Sequence, residues 1–432
     1  MDRELRIQKL TELIRRHEPY SFKELTYKNT RGKLDVYEIP VEYLIFNQYN
    51  GRIGTYVKTH EKQYGPIDAS TPEGEKIIVD FLWYSKEKRN KETQQDIEKN
   101  GQLEYGIVTK DGIVIDGNRR CMLLKKIAKE KHDSPTYFKA VILEDTFKDN
   151  SKEIRKLETT YQMGVDEKVD YNAIEKYLTC KDLSSDFTNE EIGRMMGDKP
   201  SKIKEYLEIL KLMEKYLNQY GYDGMYTRLN EETVEGPFVD LRGYLEKQTS
   251  GKGIRNRDWN PEREDVDDLR QIYFDYIRAG FRTAHGIRDI GNPSKGKGFF
   301  NHKKVWDEFS SRYFHDVDDK INLNEPSLEE FRKKTPNENA EKIISARDKD
   351  WEKNVKKSME NNYFRTKRKL DDNNKANNPI ELLTRAKNTL EAINTENDAF
   401  DVSVLNIVKE INSLAWDFQQ VIKKKLKDKW TI

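Results

Sequence analysis

The five consecutive residues Asp116-Gly117-Asn118-Arg119-Arg120 combine residue types that can bind an anion. They come where a β-branched run ends and an amphipathic run begins, which predicts a turn from a strand into a helix. Free N–H groups at the helix start, the positive end of the helix dipole and two guanidinium groups would converge there, and Gly117 would let a ligand approach the backbone. The pattern therefore predicts a phosphate site. A purely structural alternative is an ion pair between Asp116 and Arg119 within the turn.

Short strands and helices must position this turn. Two β-branched runs, residues 106–109 and 113–115, are joined by Lys110-Asp111-Gly112, and an Asp-Gly pair between such runs is a hairpin signal. A helix should start near Asn118, because Asn is a good N-cap. The other expected elements are a leading helix over residues 3–17, one or two strands over 34–46, the polar turn 47–52, a helix from Pro72 and a strand over 138–143.

A second pattern follows where the chain becomes helical, near residue 150. Residues 189–196 and 201–210 are short amphipathic segments separated by a Gly-containing break, which is the helix-turn-helix pattern. Cations on the second helix could contact DNA phosphates or base edges. Acidic residues nearby leave the local charge near zero, so a purely structural helix pair is the alternative. The candidate DNA-binding residues are Lys199, Ser201, Lys202 and Lys204.

The C-terminal half offers surfaces rather than catalytic motifs. A basic run from Lys353 to Lys369, with Tyr363 and Phe364 among its cations, is a candidate accessory nucleic-acid patch, although such runs are usually solvated helix faces. Residues 371–378 look like a polar linker to a final helical hairpin. The second helix of that hairpin has an apolar stripe that could join two copies of the chain or pack on its own domain. The stripe consists of Val404, Val408, Ile411, Ala415, Phe418 and Ile422.

Composition limits the class of protein. At typical domain sizes, 432 residues predict roughly two to four compact units. Lys plus Arg number 78 and Asp plus Glu number 77, so no global positive field attracts nucleic acid and any DNA contact must be local. Two cysteines exclude a disulfide framework and fit a reducing compartment. No stretch approaches the ~20 apolar residues of a membrane span. We therefore expect a soluble, cytoplasmic protein with no membrane partner.

Four segments of the chain resemble, in order, the amino-terminal domain of the ParB family. The helix-turn-helix pattern follows where that family has one, and the similarity covers about residues 36–217. The Asp-Gly-Asn-Arg box is also similar to the Asp-Gly-Gln-Gln-Arg or Asp-Gly-Gln-His-Arg box of phage-restriction and DNA-sulfur-modification proteins, and Asp116 favours that branch. The four segments are Ile39 to Arg52, Asp96 to Val108, Ile115 to Arg120, and Leu157 to Gln162 with Asp170, Tyr171, Ile174 and Glu175.

The resemblance implies a nucleoside-triphosphate pocket, for CTP, GTP or ATP, with a bound Mg²⁺ ion that Glu158 would face. Three positions depart from partition proteins, because Asn118 replaces a usual Glu, Thr159 a metal-binding Asn and Gln162 an Arg. Asp116, Arg119 and Glu158 are the residues that the resemblance implies for catalysis. Those that it implies for nucleotide binding are Asn50, Arg52, Gly117, Asn118, Arg119, Arg120 and Thr159.

We therefore predict an α+β protein with a small mixed β-sheet domain of the ParB/sulfiredoxin type, a helix-turn-helix segment and a mostly α-helical C-terminal region. The predicted function is Mg²⁺-dependent binding, and hydrolysis, of a nucleoside triphosphate by a DNA-associated protein of partition, regulatory or anti-phage defence type, with partner proteins of such a system. A non-enzymatic DNA-binding adaptor and a nuclease with a C-terminal active site are alternatives. The predicted segments are an N-terminal helix and lead-in over 1–33, the nucleotide-binding domain over 34–150, the helical segment with the helix-turn-helix over 151–220, a mixed, mostly helical region over 221–370 and the hairpin over 379–432.

Overall fold

One small mixed β-sheet and a much larger number of helices make up the protein. The computed structural model describes residues 1–130, 136–165, 172–230, 234–250, 257–281, 286–294, 297–334, 338, 340–375, 379–394 and 400–430. This part of the chain contains six strands and 17 α-helices. The predicted combination of a small mixed sheet with a mostly helical C-terminal region is therefore confirmed.

The sheet has the strand order β1-β2-β6-β4-β5-β3. Neighbours are antiparallel except for two parallel pairs, β3 with β5 and β4 with β6. The hairpin β1–β2 was not predicted; it turns at Lys28 and Asn29, whose φ angles of 49° and 61° fit a tight two-residue hairpin turn. The sheet therefore begins at Ser21, before residue 34, where the first strand was predicted to start. The strands are β1 Ser21–Tyr27, β2 Thr30–Pro40, β3 Ile45–Phe46, β4 Gly106–Val108, β5 Ile113–Asp116 and β6 Tyr137–Ile142.

Helices cover both faces of the sheet because successive strand residues point to opposite sides. On β6, Phe138 and Ala140 join one apolar cluster, which the five N-terminal helices complete, while Val141 joins a second cluster with Ile154 and Leu157 of α6. The sheet is thus the middle layer of three. The helices are α1 Arg3–Arg16, α2 Gly54–Tyr64, α3 Pro72–Ser85, α4 Glu87–Asn100, α5 Asn118–Glu130 and α6 Ser151–Thr159.

Three helices follow α6, which itself continues as a π-helical turn over Thr160–Val165. They are α7 Ala173–Leu183, α8 Asn189–Met196 and α9 Pro200–Gln219. Thr188 and Glu191 form a capping box at the start of α8, and Gly197, with φ of 69°, ends it. The two helices that the sequence indicated around Gly197 are therefore present. Asp170 and Tyr171 lie outside the described residues.

The described residues between 221 and 345 lie mostly in helices. The predicted polar linker is wrong over 371–375, because the long helix α15 continues to Lys375; residues 376–378 lie outside the described residues. The helices are α10 Glu235–Ser250, α11 Arg263–Arg278, α12 Arg288–Gly291, α13 Lys303–Tyr313, α14 Leu328–Lys334 and α15 Ala340–Lys375.

A buried arginine joins the helices of this region. The guanidinium group of Arg278, at the end of α11, lies between the rings of Tyr220 and Trp351, 4.5 and 4.4 Å from their centroids. It donates to both carboxylate oxygens of Glu325, at 2.9 and 2.5 Å, and to Asp348 at 2.7 Å. Its side chain is 1% exposed. A buried charge is tolerated when it is paired and hydrogen-bonded in this way.

The chain divides into two compact units, Met1–Lys367 and Arg368–Ile432. The second unit contains the helices α16 Pro379–Glu391 and α17 Val402–Trp430. The two helices of the predicted hairpin are therefore present, but most of their large apolar side chains are exposed. Across the described residues, no helix combines the length and apolar character needed to cross a membrane.

Candidate ligand-binding site

The end of β3 and the end of β5 place two polar turns side by side. These strands are parallel and paired, Ile45 with Ile113 and Phe46 with Val114, so the segments that follow them leave the sheet at the same edge. The next residue after β3 is Asn47, whose backbone N–H donates to Oδ1 of Asn118 at 3.0 Å.

Asn118 does not cap α5 as the sequence predicted. Its side-chain oxygen accepts from the Asn47 N–H, and its side-chain nitrogen donates to the carbonyl of Val114 at 2.8 Å. The side chain is therefore used to fasten the turn after β3 to the turn after β5.

A buried glutamate on α6 completes this junction. Oε1 of Glu158 accepts from Nδ2 of Asn47 at 2.9 Å and from Nε2 of Gln162 at 3.1 Å. Gln162 also donates to the carbonyl of Ile115, at 3.2 Å. One carboxylate oxygen thus connects α6 to the segments that follow β3 and β5.

The second oxygen of this carboxyl group, Oε2 of Glu158, accepts no hydrogen bond from the described residues. Glu158 is 7% exposed and lines a cavity. Burial raises the pKa of its carboxyl group to about 8, although the amides of Asn47 and Gln162 and the charge of Arg155 act in the opposite direction. An oxygen of a largely buried carboxyl group, with hydrogen-bonding capacity that the described residues do not use, therefore borders space that a ligand can enter.

The cavity has a volume of about 540 Å³, within the range of small-molecule sites. The turn after β3 forms one wall through Gln48, Tyr49 and Gly51, and α2, α6 and α7 form the others. The rings of Tyr49 and Phe147, which both line the cavity, are stacked 5.9 Å apart at 20°. Tyr49 is 63% exposed. An aromatic face is thus available beside the cavity.

Three cations line the cavity, and each also contacts an acidic residue. The distances are 2.8 Å from Lys58 to Asp182, 2.5 Å from Arg155 to Asp186 and 2.6 Å from Lys181 to Glu214. All three pairs are partly exposed, where a salt bridge contributes little and exchanges partners easily. The cavity wall therefore has positive groups that a ligand anion could compete for.

A second buried carboxyl group, that of Glu175 on α7, lies against the N-terminus of α2. It accepts from the backbone N–H of Thr55 at 3.1 Å and from its hydroxyl at 2.6 Å. A Cβ atom added at Gly54 would lie 2.8 Å from its Oε2. Burial raises the pKa of Glu175 to about 7. The N-terminus of α2, which could have bound an anion, therefore already has a carboxyl partner.

The box from Asp116 to Arg120 is used mainly within the fold. Asp116 is 6% exposed and contacts Arg120 at 3.2 Å and Lys23 at 3.5 Å. The internal ion pair therefore involves Arg120, whereas the sequence suggested Arg119, a residue in the first turn of α5. None of residues 116–120 is among those that line the cavity.

Gly117 is required by the backbone and by a neighbouring ring. Its φ is +92°, and an added Cβ would lie 2.8 Å from Cζ of Phe138. The positive φ angle and the contact with Phe138 therefore explain why this residue is glycine, and the approach of a ligand to the backbone is not needed as a reason.

The other residues that were predicted to bind a nucleotide lie in or beside the cavity wall. Thr159 lines it, although its hydroxyl donates to the carbonyl of Arg155 at 2.9 Å. Asn50 and Arg52 flank the lining residue Gly51, and Oδ1 of Asn50 accepts from the N–H of Arg52 at 2.9 Å, which fixes the turn. Sequence reasoning missed Lys58, Arg155 and the Tyr49–Phe147 pair, which no local pattern marks. The usable signal nearby was the four-residue spacing of Glu158, on α6, and Gln162, in the π-helical turn that continues it.

The lysines of the α8–α9 segment have acidic neighbours. Lys199 and Ser201 are exposed at the start of α9. Lys202 donates to Glu205 at 2.9 Å, and Lys204 lies 3.8 Å from Glu208. Few positive groups on this face are left without an acidic neighbour.

The exposed face of α15 differs in this respect. Lys353, Lys357 and Arg365 are exposed and have no acidic partner among the described residues, and Phe364 beside them is 52% exposed. Tyr363, in contrast, is buried and donates to Asp289. Part of the predicted basic patch is therefore available on one face of the helix.

No family model matches the chain, and neither the curated proteins nor the solved structures contain a match. Among the described residues, no three His, Cys, Asp or Glu side chains are grouped so that they could hold a metal ion by themselves. Interpretation of the site therefore depends on its geometry.

Proposed function

We propose that the protein is a nucleotide-binding, DNA-associated protein of ParB-like type, in a partition, regulatory or anti-phage defence role with partner proteins of that system. The observation that supports this most is the cavity beside Glu158. The second oxygen of the Glu158 carboxyl group, three cations and an exposed aromatic ring face the same space. A nucleotide has groups that complement all three.

In this proposal the base lies on the ring of Tyr49, since aromatic faces accept any base by stacking. The phosphates replace acidic partners of Lys58, Arg155 and Lys181. The turn that holds Asn50 and Arg52 lies along the same wall. Both residues, with Thr159, stay in the proposed nucleotide site.

The residues present fit a Mg²⁺ ion that arrives with the nucleotide. Mg²⁺ is usually bound by one or two carboxylates together with substrate phosphates. Glu158, whose raised pKa means that it must first release its proton, would supply one such oxygen. Bound there, the ion would neutralise charge on the phosphates. Arg155 lies on the same wall and would stabilise negative charge that develops on a transferring phosphoryl group, so hydrolysis is part of the proposal.

A second candidate function is a non-enzymatic adaptor that binds a nucleotide without turning it over. The contacts of the Asp116 box favour it, because Asp116, Arg120 and Asn118 are bonded within the fold rather than lining the cavity. Because they do not line the cavity, these residues lie away from the phosphates of a nucleotide bound there. Release of inorganic phosphate from the bound nucleotide distinguishes the two functions.

DNA association is proposed through the start of α9 and the basic face of α15. Lys199 and Ser201 are exposed at the first site, and Lys357 and Arg365 offer charges without acidic partners at the second. The protein is also proposed to act as a pair of copies, as proteins that read two half-sites commonly do.

The test is calorimetric titration of the full chain with CTP, GTP and ATP, each with and without Mg²⁺. We compare wild type with Glu158→Gln, which keeps an oxygen for Asn47 and Gln162 but removes the carboxylate. Glu98→Gln, the same change on the exposed side of α4, is the control. Saturable, Mg²⁺-dependent binding that is lost only in Glu158→Gln supports the proposal. Equal binding by wild type and Glu158→Gln, or none by folded wild type, overturns it.

A further inference from the structure

A second cavity lies where α15 passes the segment between α11 and α12. Its volume is about 740 Å³, which is within the range of sites that enclose a small molecule. Helix α15 contributes Glu360 and Phe364 to its wall, and Gly280 and Gly286 lie on the other side. The described residues that line it include none that line the cavity beside Glu158, so the two sites are separate.

An exposed aromatic ring belongs to the wall of this second cavity. Phe364 is 52% exposed, and its ring meets that of the buried Tyr363 edge-on, with centroids 5.2 Å apart and planes at 76°. The hydroxyl group of Tyr363 donates to Asp289 at 2.6 Å, which fixes the ring behind Phe364. Phe364 therefore offers a supported face on which another planar ring can stack.

A carboxylate lies one helical turn before this ring. Residues four apart share one face of a helix, so Glu360 and Phe364 are neighbours on α15. Glu360 is partly exposed and has no hydrogen bond or ion pair with a described residue; the charge of Lys356 attracts it from the preceding turn. A carboxylate accepts a hydrogen bond from the amino group of cytosine, where thymine has a carbonyl oxygen instead.

Positive charges lead along the same helix to the cavity. Lys353 and Lys357 are exposed and have no acidic partner in the described part of the chain. They precede Phe364 by about 17 Å and 11 Å along the helix axis, at 1.5 Å per residue. Lys356 and Lys367 line the cavity itself, in salt bridges that are partly exposed and that a phosphate could replace. The face thus combines cations for phosphates with a ring for a base.

We propose that this face of α15 binds single-stranded nucleic acid. One unpaired base enters the cavity and stacks on Phe364, Glu360 accepts from its amino group, and the flanking phosphates contact Lys353 and Lys357. A base within a duplex is stacked and paired, so it cannot reach the ring without being extruded. The inference goes beyond the DNA association proposed for α15, because it names an unpaired strand, and it does not depend on nucleotide binding beside Glu158.

The test is fluorescence anisotropy of the full chain with labelled DNA strands of about 12 nucleotides, at low salt. Every position is abasic except the central one, which carries cytosine, thymine or no base, so the phosphates are the same in all three strands. We expect the cytosine strand to bind about tenfold more tightly than the wholly abasic strand, and the thymine strand to lie between them. A ribose version of the cytosine strand shows which of the two nucleic acids binds more tightly. Equal affinities of the cytosine and abasic strands overturn the proposal.

Two substitutions assign the effect of the base to this cavity. Phe364→Ala should abolish the gain from cytosine. Phe22→Ala is the control, since Phe22 on β1 is 54% exposed and also has a lysine over its ring, and it should keep the gain. Glu360→Gln should bind the cytosine and thymine strands equally, because an amide can donate or accept. A gain that persists in Phe364→Ala, or that is lost in both phenylalanine variants, overturns the proposal.

A duplex of the same length separates this inference from the DNA association proposed above. Phe364→Ala should leave duplex binding unchanged, because no base of a duplex is free to stack. Duplex binding together with equal affinities of the cytosine and abasic strands overturns the inference and leaves the proposed DNA association intact. A cytosine-dependent gain without duplex binding supports the inference and contradicts the proposed association with duplex DNA.

Discussion

Replacement of Glu158 by Gln should change how the stability of the protein depends on pH. The carboxyl group has a pKa of about 8 in the folded chain, against an ordinary value near 4.5. The folded chain therefore holds this proton more tightly than the unfolded chain does. The stabilising contribution is complete below about pH 4.5 and is lost as pH rises towards 8.

The magnitude follows from these two values. Between pH 6 and pH 8.5 the unfolded chain has already released the proton, while the folded chain retains it up to about pH 8. The free energy of unfolding of wild type should therefore fall by about 2 to 3 kcal/mol more than that of Glu158→Gln over this interval. The amide keeps an oxygen for Asn47 and Gln162, so the network that holds the site should persist in the variant.

The assay is urea denaturation of both proteins at pH 6 and pH 8.5, without Mg²⁺ or nucleotide. Glu175, whose pKa is raised to about 7, also lowers stability as pH rises, but it does so equally in both proteins and cancels in the comparison. Parallel loss of stability by wild type and variant would refute the reasoning, because it would mean that the Glu158 carboxyl group is not desolvated by its surroundings.

Two further substitutions test the fold around the site and the buried arginine. Gly117→Ala should lower the free energy of unfolding, measured in urea, by about 3 kcal/mol, because it adds backbone strain and a clash with Phe138. Gly101→Ala is the control: its φ is +74° and nothing lies within 4 Å of the added Cβ, so it should lower the free energy of unfolding by only about 1 kcal/mol. Equal losses in the two variants would show that the structure absorbs the clash with Phe138. Arg278→Met should cost about 3 kcal/mol, because it removes the most buried charge of a network in which Asp348 keeps Arg228 and Glu325 keeps Arg347 as partners. Arg288→Met, at an ion pair whose arginine is 54% exposed, should cost less than about 1 kcal/mol. Similar melting curves for the two variants would contradict the assigned role of the buried guanidinium.

Elements with strong local signals were predicted correctly. The Asp-Gly turn gave the β4–β5 hairpin, and Gly197 with Pro200 gave the break between α8 and α9. β1 was missed because only Leu25 of its seven residues is buried, so no apolar alternation marks it. α4 has no apolar periodicity of its own, because its sequence is almost entirely polar and only Asn90 and Ile97 are buried, so only the resemblance indicated a helix ending at Asn100.

The site was predicted in part. Glu158 and Thr159 came from a resemblance and do line the cavity. The contact of Asn118 with Asn47 joins residues 71 positions apart, which no local pattern reveals. The Tyr49–Phe147 pair likewise depends on how the turn after β3 meets the start of α6. Where function depends on such distant pairs, residue types indicate a class of chemistry but not its location.

The hydrogen bonds around Glu158 also constrain when the site can form during folding. The bonds from Asn47 to Asn118 and to Glu158 span 71 and 111 residues, whereas the bond from Gln162 spans four. Closing such long loops has an entropic penalty that is offset only once the sheet is assembled. During synthesis, the Glu158 network must therefore wait until α6 has emerged from the ribosome, and the complete cavity wall until α7 has followed. A ligand of this cavity would bind only the finished fold, and each tenfold excess over its Kd would add about 1.4 kcal/mol to stability.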